Sequence, residues 1–179
     1  MHNKLKIAVS ACLLGHRVRY DGNEKKHSLI MDVFMNQLSD EVELIPFCPE
    51  VAIGLSVPRA KIQVVRDKDK KNRIIGVENH TLDYTEALES YSESFLKEYP
   101  DIIHFIVKSK SPSCGFQSTP LFECLAEKQT CFQQIDLTSG LFVQNLLALK
   151  PELNIIEEIQ LNDLDACLNF IRKMDLLKP

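Results

Sequence analysis

Lys4-Leu5-Lys6-Ile7-Ala8-Val9-Ser10-Ala11-Cys12 is a largely apolar run of strand length that ends on a cysteine and then turns. The pattern occurs twice more. Val42-Glu43-Leu44-Ile45-Pro46-Phe47 runs into Cys48, and Ile102-Ile103-His104-Phe105-Ile106-Val107-Lys108 leads into Ser111-Pro112-Ser113-Cys114-Gly115. The third run has almost no polar interruption, as expected of a strand covered on both faces. Segments of helical period separate the runs, and this alternation predicts an α/β fold: a Rossmann-like open, mostly parallel sheet with helices on both faces. If the strands are parallel, all three thiols reach the carboxyl edge, where open α/β sheets place their ligand sites. Three thiolates at one crevice suit a metal or an iron–sulfur cluster.

Working outward, Ile30, Val33, Phe34 and Leu38 give a helical stripe over residues 28–39. Tyr84, Leu88, Tyr91 and Phe95 give another over 82–98, with Thr81 as expected N-cap and Tyr99-Pro100 as terminator. Thr138-Ser139-Gly140 precedes a helix expected over 141–149. Asn154-Ile155-Ile156 reads as a last short strand, and a closing helix is expected over 164–176. Lys61-Ile62-Gln63-Val64-Val65 and Arg73-Ile74-Ile75-Gly76-Val77 flank a charged turn, which predicts a β-hairpin inserted at about 60–78. Residues 115–137 carry no clear period. With no repeat or linker, the expectation is one domain over 1–179.

The composition, 45% hydrophobic and 26% charged, is that of an ordinary globular protein. A formal net charge of −4 argues against a generally basic surface and so against stable nucleic-acid binding. The first apolar run is too short for a secretion signal, and no stretch approaches the roughly 18–20 apolar residues of a membrane span. The expected location is the cytoplasm, where the six cysteines stay reduced and read as metal-binding, catalytic or merely packed.

No short Cys-x-x-Cys spacing is present, so shared context rather than spacing singles out Cys12, Cys48 and Cys114. Glu50 follows Cys48 closely, and a carboxylate there is either a helix-start charge or an acid/base group. Ser109, Ser111 and Ser113 interleave with Lys108 and Lys110, which makes a loop rich in hydroxyl and ammonium groups. Three functional readings stay open on these residues: a cluster enzyme, an iron–sulfur or zinc-binding regulatory module, and a nucleotide-binding fold with buried thiols.

Ser10-Ala11-Cys12-Leu13-Leu14-Gly15, Val18-Arg19-Tyr20-Asp21-Gly22, Cys48-Pro49-Glu50 and Lys108-Ser109 with Ser111-Pro112-Ser113-Cys114-Gly115 together resemble the bacterial thiouracil desulfidases. The resemblance is ordered over about residues 5–150. It implies a [4Fe–4S] cluster on Cys12, Cys48 and Cys114, with one iron left without a protein ligand. It implies non-redox removal of sulfur from a thiolated pyrimidine, a small-molecule substrate. Glu50 and Ser111 would be catalytic, and Asp21, Ser109 and Ser113 would bind substrate. After Gly115 the chain departs from the family pattern: residues 116–137 are longer and more apolar, and the helix begins with Thr138-Ser139-Gly140-Leu141. Cys124, Cys131 and Cys167 fall outside the motifs and read as packed or incidental thiols.

Overall fold

The computed structural model of the chain describes residues 4–124 and 132–176, so Cys131 lies outside the described residues. The elements follow in order as β1 (Leu5–Ser10), β2 (Val42–Phe47), α1 (Pro49–Ala52), β3 (Ile62–Arg66), β4 (Asn72–Gly76) and α2 (Thr85–Glu98). They continue with β5 (His104–Val107), β6 (Thr119–Cys124), β7 (Phe132–Thr138), α3 (Leu141–Leu149), β8 (Asn154–Glu157) and α4 (Leu164–Leu176). The first sheet has the order β2-β1-β5-β8 and all of its pairings are parallel. It is the open parallel sheet that the alternating pattern predicts.

Strand alternation divides the core. Ile7, Val9 and Ile106 face one side and pack on Ile30, Val33 and Phe34, together with Cys167 and Phe170 of α4. Ala8, Phe105 and Val107 face the other side and pack on Phe95 of α2 and on Phe142, Val143 and Leu146 of α3. Phe47, Phe95, Phe105 and Phe142 form one aromatic cluster on that side, with ring centroids 5.4–6.1 Å apart. Edge-to-face and tilted pairs of this kind add about 0.5–1.5 kcal/mol each beyond their buried area.

The inserted hairpin is present as β3–β4, and it belongs to something larger than expected. β3 also pairs in parallel with β6, and β6 pairs antiparallel with β7, giving a second four-stranded sheet of order β4-β3-β6-β7. Its inner residues Ile62, Val64, Ile74 and Leu121 pack on Leu88 of α2 and Leu141 of α3. Those two helices therefore lie between the sheets and serve both cores. β7 was illegible because residues 133–137 are exposed on both faces, which erases the period-2 signal. In β6, Pro120 argues locally against an inner strand.

The first helix starts at residue 28 as expected but differs in kind: it has wide i→i+5 bonding over Ile30–Gln37, with Leu38 N–H donating to Val33 O at 2.9 Å. One helix start differs from expectation. α2 begins at Thr85, where the Asp83 carboxylate accepts the Thr85 N–H at 2.9 Å. Thr81 instead closes a turn with Asn79, donating to its Oδ1 at 2.7 Å.

His104 is the one histidine of the β5 core face and is fully buried. Asn154 Nδ2, a pure donor, lies 3.2 Å from its Nδ1, so the ring proton sits on Nε2. Nε2 has no partner among the described residues, and burial pulls the His104 pKa from 6.5 down to about 4. A depressed histidine leaves stability intact above about pH 6.5, the unfolded value. As pH falls towards about 4 the unfolded chain takes up the proton first, and stability drains. We expect unfolding free energy to drop over this window with a slope of at most about 1.4 kcal/mol per pH unit from this group. Urea unfolding at several pH values measures the slope, and His104→Gln should flatten it. An unchanged slope in the variant would assign the acid loss to other groups.

Candidate metal centre

The three sequence-selected thiols do meet at the carboxyl edge of the first sheet. β1 ends at Ser10, and a single 3-10 turn, Ala11–Leu14, carries Cys12. Gly15 closes that turn at φ 91°, a left-handed conformation that suits glycine. β2 ends at Phe47, and Cys48 is the extended residue before α1, with Pro49 at the first helical position. Beyond β5, Ser111-Pro112-Ser113-Cys114-Gly115 forms a tight loop in which Gly115 N–H donates to Ser111 O at 2.9 Å. Cys12, Cys48 and Cys114 line one cavity of about 370 Å³. Cys12 and Cys114 are buried and Cys48 is half-buried.

The cysteine loop is docked on the start of α3. Leu141 N–H donates to Pro112 O and Phe142 N–H to Ser113 O, both at 3.0 Å, and Gly140 N–H donates to Gly115 O at 2.8 Å. Helix starts leave such amides without partners of their own, and here the loop carbonyls take them. The contact requires glycine, because a Cβ on Gly140 would stand 2.5 Å from Ser113 O and 2.6 Å from Cys114 N. Thr138-Ser139-Gly140-Leu141 thus supplies a close backbone approach.

Two adjacent buried carboxylates at the end of β8 hold the ends of the same loop. Glu157 accepts from Phe116 N–H at 2.7 Å and from Ser118 Oγ–H at 2.5 Å. Glu158 accepts from Ser109 N–H at 2.6 Å, from Ser109 Oγ–H at 2.8 Å and from the Lys108 ammonium. Lys108 Nζ also donates to Ser109 O and Oγ, so its three N–H groups are all engaged. Ser109 is therefore a cavity-lining residue whose hydroxyl is committed to this lock.

Glu50 is buried at the cavity wall. Its Oε2 accepts from Arg59 Nε–H at 2.7 Å, and its Oε1 accepts from Ser113 Oγ–H at 2.8 Å. Ser113 Oγ is 3.1 Å from Ser111 Oγ, and Ser111 Oγ accepts the Cys114 N–H at 3.2 Å. A chain of exchangeable protons thus runs from Glu50 through Ser113 to Ser111. Asp21 is not brought into the cavity. Its exposed carboxylate accepts from Asn23 N–H at 3.0 Å and pairs with Arg19 at 3.4 Å, and the Asn23 amide foremost holds its pKa below the usual range.

Sequence reading missed Arg59, Arg19, Ser10, Glu157 and Glu158. Arg59 sits in a loop without periodicity, and only its bond to Glu50 and the Arg59 N–H to Tyr20 O contact of 2.9 Å reveal its place. Glu157-Glu158 reads along the chain as a charged strand end, which sequence alone assigns to solvent.

Burial foremost, then the nearby Cys114 and Cys48, pushes the Cys12 thiol up to about 12. Burial also raises Cys114 to about 11, against hydroxyl donors on Ser10 and Ser111, and it raises Cys48. Three thiolates this close repel one another unless a cation binds them. Among the described residues no three His, Cys, Asp or Glu side chains form a cage for a single metal ion. Three soft sulfurs around one cavity suit an iron–sulfur group.

No curated protein matches the sequence. A solved structure of a [4Fe–4S]-dependent thiouracil desulfidase, TudS, superimposes with a TM-score of 0.63 at 28% identity, covering 93% of this chain and 99% of its own. A family model for 2-thiouracil desulfurase matches residues 7–158, a span that holds all three cavity cysteines and Glu50. The chain belongs to the 2-thiouracil desulfurase family.

Proposed function

We propose that this chain is a single desulfidase-like domain over 1–179 that removes sulfur from a thiolated pyrimidine in the cytoplasm, releasing the oxo base and sulfide. The observation that carries the reading is one cavity lined by Cys12, Cys48 and Cys114 together with the Glu50–Ser113–Ser111 hydrogen-bond chain. Its volume of about 370 Å³ lies at the low end of small-molecule sites, roughly 300–1,000 Å³, and suits a compact ring better than a macromolecule.

Cys12, Cys48 and Cys114 would hold the [4Fe–4S] cluster. When bound, the cluster would supply a Lewis-acidic iron toward the thiocarbonyl sulfur. The overall conversion adds one water: its oxygen forms the new carbonyl, and its two protons leave with the sulfur as hydrogen sulfide. The protein must therefore take protons from the entering water and return them to the departing sulfur. Glu50 suits this proton traffic, with Oε1 receiving through Ser113 and Oε2 fixed by Arg59. Ser111 presents its hydroxyl at the cavity end of that chain, which makes it the contact to substrate or to departing sulfur. Ser113 is the link between them, and Ser109 serves by locking Lys108 rather than by free hydrogen bonding to a base. Arg19, half-withdrawn into the wall beside Tyr20, adds positive charge near the thiolates.

Anaerobic loading with iron and sulfide should give brown protein absorbing near ~400 nm. Serine at position 12, 48 or 114 should lose most of the bound iron, because a hard alkoxide replaces a soft thiolate poorly. Cys124→Ser and Cys167→Ala should keep it, and equal iron loss across all five variants would mean that the ligands are wrongly chosen. Glu50→Gln should retain the iron while sulfide release from a thiopyrimidine falls about 10²- to 10⁴-fold. That variant also leaves the buried Arg59 without its carboxylate, so thermal unfolding should show a loss of about 3–5 kcal/mol. Wild-type sulfide release from Glu50→Gln would remove the carboxylate from the chemistry.

A further inference from the structure

Ser10 is the last residue of β1, 2% exposed, and points at the cavity from beneath the cysteine loop. Its hydroxyl oxygen accepts the Lys108 N–H at 3.0 Å, joining the ends of β1 and β5. The same oxygen lies 3.4 Å from Cys114 Sγ. When Cys114 is a thiolate it carries no proton, so the Ser10 O–H must be the donor in that contact. The Lys108 amide already occupies the acceptor side of the hydroxyl, which orients its proton toward sulfur. Cys48 differs in the kind of donor it has: the backbone N–H groups of Val51 and Glu50 serve its sulfur, which also lies 3.9 Å from Val18 O. The three sulfurs are therefore not equivalent to their surroundings.

We infer that Ser10 is a positioning residue for the proposed cluster, donating a hydrogen bond to the Cys114 ligand and weakening that ligand's electron donation. This rests on the cluster reading above. A hydrogen bond to a ligand sulfur draws charge away from the iron and stabilises the reduced, more negative state. Ser10 acts through Cys114 and has no place in proton transfer, which separates it from the Glu50–Ser113–Ser111 chain.

The test compares the anaerobically loaded wild-type enzyme with Ser10→Ala, Ser10→Thr and Ser10→Val, reading iron content and the reduction midpoint by electron paramagnetic resonance. Threonine and valine have the same shape and differ only in the hydroxyl. The alanine and valine variants should be about three- to tenfold harder to reduce, the effect of one lost hydrogen bond, or up to about 59 mV more negative for a one-electron couple. Threonine should stay near wild type. If alanine and valine fail to hold iron and threonine holds it, the hydroxyl is still the element required, and the inference stands. Identical midpoints in all four proteins, or iron loss that includes threonine, would overturn it in favour of simple packing. A wild-type enzyme that takes up no cluster would instead overturn the cluster reading itself.

Discussion

The backbone contact between the cysteine loop and the first turn of α3 sets the geometry of the cavity. Pro112, Ser113 and Gly115 lend their carbonyls to the amides of Leu141, Phe142 and Gly140. A buried backbone amide left without a partner costs about 1–3 kcal/mol, so three such pairings fix the loop firmly. The contact exists only because residue 140 has no Cβ. Ser111, Ser113 and Cys114 then reach the cavity from one rigid support, and α3 is itself anchored by Phe142 and Leu146 in the aromatic core.

Charge balance around the cavity follows from that support. The thiolates and Glu50 place negative charge at the sheet edge, and Arg59, Arg19 and Lys108 surround them with positive charge. Each cation is held in its own way: Arg59 by Glu50, Arg19 by Asp21 and by the Tyr20 ring at 5.4 Å, and Lys108 by Glu158. Glu157 and Glu158 hold the ends of the cysteine loop through its amides, hydroxyls and the Lys108 ammonium. Buried ion pairs are weak sources of net stability, because desolvation offsets most of their attraction. Their worth here lies in fixing where a hydroxyl, an ammonium and a sulfur stand relative to one another.

Much of this organisation was legible in the chain. The three strand-then-cysteine runs put the thiols at one edge, because a parallel sheet carries every carboxyl end to the same side. The start of α3 followed from Thr138-Ser139-Gly140, and α4 spans the expected 164–176. What escaped were features whose signal is not periodic. The exposed strand β7, the Asp83 start of α2, the Arg59–Glu50 pair and the Glu157-Glu158 clamp all depend on contacts between residues distant in sequence or on side chains with no apolar pattern. Asp21 stands in a well-marked motif, yet its carboxylate is exposed outside the cavity and accepts the Asn23 amide.

Thr119 ties the second sheet to the cysteine loop, donating its hydroxyl to Ser111 O at 2.8 Å as β6 begins. Past that residue β6 pairs with β3 and sets Leu121 on Leu88 and Leu141, and β7 ends at Thr138, two residues before the Gly140 that docks the cysteine loop. The loop that carries Cys114 is therefore tied to the second sheet as well as to α3, so a strain introduced in β6 reaches the sulfur within a few residues.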